Sequence, residues 1–166
     1  VNYYGKTKAD GEQMALAANP DSIIIRTSWV FSSHGNNFVK TMIRLMKERD
    51  SLNIVGDQQG RPTYARDLAT ASIQILNALN LGLPIKGIYH FANTGETTWF
   101  DFAQKIKELA GLECTLTSIN SDQFPTPAKR PNYSVLDTQK IEKELNLHIP
   151  HWELALSDCI LQLKNN

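Results

Sequence analysis

Along this chain, apolar residues fall at helical spacing in some stretches and bunch into short runs in others, and the changes of spacing mark the elements. From Tyr4 to Ala18 the pattern is helical, with a narrow face of small residues, Gly11, Ala15 and Ala18, that permits close approach to a neighbouring helix or sheet. Gly11 inside it costs roughly 1 kcal/mol against Ala, so a packing reason is expected. Asn19-Pro20 ends the helix, and Ile23–Phe31 follows as a continuous, β-branched apolar run that suits a strand covered on both faces. Ser32-Ser33-His34-Gly35 is a turn cluster, after which Asn36 or Asn37 caps a helix striped by Phe38, Val39, Met42, Ile43 and Met46. Leu52–Val55 reads as a short strand and Gly56–Thr63 as a loop, since Pro62 disfavours helix and Gly60 allows positive φ.

Asp67 starts the next helix, with Leu68, Ala71, Ile75, Leu76 and Leu79 on one side, and Gly82–Pro84 breaks it. Gly87–Ala92 is expected to be a strand alternating between faces. Thr98 and Asp101 form a capping box for a helix Trp99–Ala110, striped by Trp99, Phe102, Ala103, Ile106 and Leu109 and stopped by Gly111. In that stripe Trp99 reads as core rather than as a stacking platform. Cys114–Ile119 is a candidate edge strand, and the prolines at 125, 127 and 131 make 121–131 a loop. Asp137 caps a short helix through Leu145. A last helix, Trp152–Lys164, buries Trp152, Ala155, Leu156, Cys159, Ile160 and Leu163.

Composition narrows the class. The 166 residues, 42% hydrophobic and 20% charged, allow one soluble globular domain with a sizeable core. Lys and Arg together number 17, as do Asp and Glu, so nothing argues for a nucleic-acid partner. Lys40, Arg44, Lys47 and Arg49 read as a solvated face. No apolar run approaches the ~20 residues that a membrane span needs, and no signal peptide is visible. Cys114 and Cys159 stand far apart, and Cys159 lies on an apolar stripe, so a buried thiol in the cytoplasm is expected rather than a disulfide.

Candidate chemistry starts at Tyr4-Gly-Lys-Thr-Lys8. One helical turn sets Tyr4 and Lys8 side by side, and a phenol beside an ammonium can exchange a proton with a carbonyl oxygen. The pair alone is a common accident of composition. Gly5-Lys6-Thr7 lacks the earlier glycine and the strand that a phosphate-binding loop requires. No Gly-x-Gly-x-x-Gly occurs among the nine glycines. His90 reads as a hydrogen-bonded core histidine, and His148 and His151 straddle Pro150 without a completing carboxylate, so no metal site is expected.

Taken together, YGKTKADGE (4–12), RTSWVFS (26–32), GNNFVKTMIRLMKER (35–49), GRPTYARDLA (60–69), GIYHFANTGETTWFDFA (87–103) and TPAKRPNYSVLDTQKI (126–141) make the chain resemble, almost end to end, the dTDP-4-dehydrorhamnose reductase family of extended short-chain dehydrogenase/reductases. The resemblance implies an α/β fold: the C-terminal part of a Rossmann-like enzyme, with the last parallel strands plus a small α/β substrate-binding domain. Residues 1–34 would hold the catalytic helix and the Rossmann strand after it. Residues 35–166 would be mainly the substrate-binding portion, with the last Rossmann elements interleaved. It implies reduction of the 4-keto group of a dTDP-4-keto-6-deoxysugar by NADPH or NADH.

In that family Tyr4 would be the proton donor, and Lys8 would lower its pKa and bind the nicotinamide ribose. Backbone near Thr27 and Ser28 would approach the nicotinamide, and Trp29 would line the sugar pocket. Gln59, Arg61, Pro62 and Thr63 form a second pocket candidate and Lys129-Arg130-Pro131-Asn132 a third. Two loops each offering an Arg suit a diphosphate, with Arg130 preferred for its proline-flanked loop. Some members carry a Glu in a metal-linked dimer contact where Arg66 stands here, which puts that metal and that contact in question. The carbonyl-polarising Ser or Thr and the nucleotide fingerprint are expected in a preceding half, so this stretch alone is expected to be inactive. Its bared sheet edge is expected to favour self-association. The alternative reading is a non-catalytic regulatory or binding subunit of the same fold.

Overall fold

The computed structural model describes residues 3–124, 126 and 130–165. It begins with α1 (Tyr3–Ala18), which a turn closed by Ser22 N–H to Asn19 O connects to β1 (Ile23–Arg26). β1 pairs in parallel with β6 (Gly87–His90), Ile23 opposite Gly87 and Arg26 opposite His90. β2 (Val30–Phe31) pairs in parallel with β5 (Thr63–Tyr64). The longest ladder joins β3 (Ser51–Val55) to β8 (Thr115–Ile119), also in parallel, and β4 (Gln59–Gly60) runs antiparallel to β7 (Thr97–Thr98). Parallel pairing needs crossovers, and helices supply them: α2 (Phe38–Glu48), α3 (Ala65–Asn80) and α4 (Trp99–Ala110), followed by α5 (Gln139–Leu145) and α6 (Trp152–Asn165). Among the described residues no helix is long and apolar enough to cross a membrane.

Two cores result. The larger gathers Val39 and Met42 of α2, Leu52 and Ile54 of β3, Phe102 and Ile106 of α4, and Leu156 and Cys159 of α6. The smaller gathers Ala71 and Ile75 of α3, Tyr89 of β6, Ile141 of α5 and Ile149, with Ile23 and Ile25 of β1 packed against it. Burial pushes the Cys159 thiol up to about 12, an inert apolar filler.

Local signals explain the helix ends. The Asn37 side chain accepts from Lys40 N–H at the start of α2, and Thr98 accepts from Asp101 N–H at the start of α4, which ends on left-handed Gly111. Asp137 Oδ1 accepts from Gln139 N–H one residue ahead of the cap of α5, Thr138.

Several expectations are corrected. The run 23–31 is not one strand covered on both faces. It breaks at 27–29 because Trp29 adopts φ 48, a left-handed backbone that cannot continue a ladder, and Ile23–Ile25 are only half-buried. The loop 56–63 contains β4 and the first residue of β5. α3 begins at Ala65, two residues ahead of Asp67, and its Leu76 and Leu79 face solvent because Ala71, Ile75 and Ala78 define the packed side. Leu163 is only partly buried. Gly11 lies in open space, with no atom within 4 Å of where its Cβ would be, and α1 has no buried residue.

Candidate functional site

Tyr4 and Lys8 share one face of α1, with Lys8 Nζ 5.5 Å from the centre of the Tyr4 ring, and Tyr4 is 66% exposed. One turn further on, Glu12 takes two hydrogen bonds from Arg26 at the end of β1, from Nε at 2.8 Å and from Nη2 at 2.6 Å. The Arg26 hydrogen bond holds the Glu12 carboxyl below the usual range. His90 Nε2 lies 3.4 Å from Arg26 Nη1. Because Glu12 is fixed at the carboxyl end of β1, Tyr4 lies about 12 Å further along the helix axis, beyond that strand end. Crevices beyond the carboxyl ends of parallel strands are where α/β sheets take ligands.

The chain breaks its strand there. Thr27 is exposed and its hydroxyl donates to Thr63 Oγ1 at 3.1 Å, while Ser28 Oγ donates to the Arg61 carbonyl at 2.8 Å. Thr63 is wholly buried, so it holds Thr27 instead of facing a pocket. Trp29, between them and β2, has a left-handed backbone, which costs about 1–3 kcal/mol for a bulky residue and persists only where its surroundings over-determine it. Its indole stacks on Trp99 with ring centres 3.7 Å apart and planes 14° apart. Trp99 thus serves as core and as platform at once: partly buried, it also contacts Phe38 at 4.6 Å.

Beyond Trp99 opens a groove of about 1460 Å³. α2 and β3 form one wall, residues 119–124 the other, and Phe38, Trp99, Asn53, Asp57, Arg130 and Asn132 offer it aromatic, amide, acidic and basic groups. Its rim is tied by Asp57, which accepts from Ser121 Oγ at 2.5 Å and from Ser121 N–H at 3.0 Å, while Gln58 Nε2 donates to the same hydroxyl at 2.9 Å. Those bonds, the Ser121 hydroxyl first, lower the Asp57 pKa. An apolar and aromatic cleft with a few convergent polar groups is the usual form of a small-molecule site.

Only some of the expected residues reach these two places. Arg130 is exposed at the groove; its neighbour Lys129 lies outside the described residues. Arg61 does not line the groove with it: Nη1 donates to the Leu136 carbonyl at 3.1 Å, Nη2 lies 3.9 Å from Glu96, and buried Nε has no hydrogen-bond partner among the described residues. Gln59 works through its backbone, bonding Asn132 O and Ser134 N–H, and it is buried Gln58 whose side chain reaches the groove. Phe38, Asn53, Asp57 and Ser121 were missed because the β3–β8 pairing that brings them together leaves no local motif. Arg66 Nη1 bonds Asp158 Oδ2 at 2.7 Å, linking α3 to α6. Among the described residues no three His, Cys, Asp or Glu side chains are placed to hold a metal ion.

Comparison with known proteins adds to this geometry. The model of the RmlD substrate binding domain family matches residues 1–165. The dTDP-4-dehydrorhamnose reductase of Aggregatibacter actinomycetemcomitans is 44% identical over 162 residues, 93% of this chain and 55% of that protein. A crystal structure of a dTDP-4-dehydrorhamnose reductase from Clostridium acetobutylicum superposes with a TM-score of 0.90 at 40% identity, covering 97% of this chain and 55% of its own. That of Bacillus anthracis, in complex with NADP, superposes with a TM-score of 0.86 at 38% identity and the same coverage. The chain spans about half the length of these relatives.

Proposed function

The chain belongs to the RmlD substrate binding domain family, and from that premise we propose that the whole protein is an NADPH- or NADH-dependent oxidoreductase that reduces the 4-keto group of dTDP-4-dehydrorhamnose, giving dTDP-L-rhamnose. The observation that carries the reading is an exposed phenol–ammonium pair on one face of α1, in a chain whose stacked Trp29 and Trp99 stand at the edge of a groove large enough for a nucleotide.

The donor set fits a nicotinamide cofactor: Lys8 can hold a ribose hydroxyl, and exposed Thr27 and half-buried Ser28 follow the end of β1, where a flat ring can approach. When bound, the cofactor supplies the hydride that the sugar carbon accepts. Tyr4 donates its phenolic proton to the sugar C4 oxygen, so that no free alkoxide forms. The Lys8 ammonium stabilises the charge left on the Tyr4 oxygen as that proton leaves. Trp29 limits the space at the strand end and keeps water from it. In the groove, Arg130 forks onto the diphosphate while Phe38, Trp99 and the amides of Asn53 and Asn132 hold the nucleoside.

On this reading the smaller core, which joins β1 to α3, β6 and α5, belongs to the nucleotide-binding part, and the larger core carries the substrate-binding part. Its two buried free thiols suit a reducing cytoplasm. The 166 residues alone hold no dinucleotide fingerprint, and by themselves they are proposed to be inactive.

The test is dTDP-sugar-dependent oxidation of NADPH by the whole protein. Tyr4→Phe should lower kcat by about 10²–10⁴-fold with little change in KM. Binding of the nucleotide sugar without turnover by the wild-type protein would instead establish the regulatory-subunit reading.

A further inference from the structure

We propose that Gly60 and Trp99 are positioning residues: two jaws, carried by the β4–β7 pair, that clamp the indole of Trp29 and so set the wall of the reaction end from within the groove. The inference deepens the reductase reading and rests on it.

Three independent features converge on the Trp29 ring. Its backbone is left-handed, a state that a bulky side chain leaves unless something holds it. Trp99 stacks on it in near-parallel contact. Gly60 packs so closely that a Cβ there would lie 2.6 Å from both Cε2 and Cζ2 of Trp29 and 2.9 Å from Ser134 Oγ. The two jaws are one unit. Gly60 pairs with Thr97 and Gln59 with Thr98 across the antiparallel ladder, and Trp99 follows directly. The separation of the jaws is therefore fixed by backbone hydrogen bonds, not by side-chain preference. From the core side, Phe38 rests on Trp99 at 4.6 Å and stacks on fully buried Phe102 at 5.6 Å, so Trp99 cannot recoil.

The clamp also touches the groove. Trp99 and Phe38 line it directly, and Gln59 is stitched by its backbone to Asn132 and Ser134, next to groove-lining Arg130 and Asn132. A nucleotide diphosphate seated against Trp99 and Asn132 bears on both jaws at once, and through them on Trp29 at the strand end. Occupancy of the groove is thereby coupled to the shape of the place where the sugar reacts.

Gly60→Ala is the direct probe, because Gly60 neither lines the groove nor has a positive φ, so alanine enters without a left-handed backbone and acts by displacing the Trp29 ring and, at the far end of a short side chain, the Ser134 hydroxyl. Ser134→Ala, which removes that hydroxyl alone, should leave kcat near wild type. In the whole protein, Gly60→Ala should abolish the far-ultraviolet exciton couplet that the stacked indoles contribute to the circular dichroism difference spectrum. It should lower kcat about tenfold or more, with KM for the nucleotide sugar within about twofold of wild type, since misplacement and not lost binding is the cause. Trp99→Leu should lose the couplet and kcat together, and Trp99→Phe, which keeps the core filled and the ring stacked, should recover most of kcat. A Gly60→Ala protein that retains the couplet, or that loses it and turns over at the wild-type rate, overturns the clamp. Tyr4→Phe measured beside it separates the two ideas. An active Tyr4→Phe removes the reductase mechanism itself, whereas an inactive Tyr4→Phe with unaffected Gly60→Ala removes only the clamp.

Discussion

Tyr89 shows what a single side chain contributes to this fold. Its ring is buried in the smaller core, its hydroxyl donates to Glu144 Oε2 at 2.5 Å, and the Lys140 ammonium lies 4.0 Å from its centre. Burial first, and then the Glu144 contact, push the phenol from 10 up to about 12. The folded state therefore keeps a proton that the unfolded chain releases. The stabilisation is complete below pH 10 and is lost as pH rises to about 12. The urea midpoint of the wild-type chain should fall through that window more steeply than that of Tyr89→Phe, the two curves converging at about 1.4 kcal/mol per pH unit at most. At this scale the sequence was partly legible. The four-residue spacing of Tyr4 and Lys8 already puts them on one helix face. The left-handed backbone of Trp29 was not legible, since no local residue demands it and what holds it comes from afar: the Trp99 stack, the Gly60 contact and the Thr63 N–H that donates to its carbonyl. Gln58 and Gln59 could not be told apart for a like reason: Gln59 opens β4 and Gln58 stands just ahead of it, and which of the two reaches the groove depends on the partner strand.

Among the elements, α1 stands out as a helix that bears the Tyr4–Lys8 pair yet buries nothing. Its Glu12 makes the doubly hydrogen-bonded contact with Arg26 that docks it on β1. Glu12→Gln should therefore speed amide hydrogen exchange throughout α1 and leave α4, whose Phe102 and Ile106 are fully buried, unchanged. Because the Glu12 carboxyl is held below its usual range, the tie is intact above the ordinary glutamate pKa and is lost as pH falls through the lowered one. Acidification should thus mimic the substitution in the same exchange experiment. Helices α2, α4 and α6 were readable from their stripes and caps, because each buries one face against a single core. The run 23–31 misled for the opposite reason. Its apolar content serves two pairings, β1 with β6 and β2 with β5, which a hydrophobic pattern cannot separate.

The whole molecule leaves surface unsatisfied. Tyr3, Tyr4 and Met14 on α1 are each more than 60% uncovered, and the Ile23–Ile25 strand is only half-buried. Apolar patches next to short strand edges favour association. This chain alone should therefore sediment with a weight-average mass that rises with concentration; a strictly monomeric profile at high concentration would contradict this. The family was legible from six ordered blocks, yet most of the groove was not, because its opposite walls come from strands far apart in the chain. That separation has a temporal consequence. Asp57 and Ser121, whose contact seals the rim, are 64 residues apart, so during synthesis the first wall waits, solvent-facing, until the second has left the ribosome. A nascent chain halted before Ile119 owns every residue of α2 and β3 and still has half a groove.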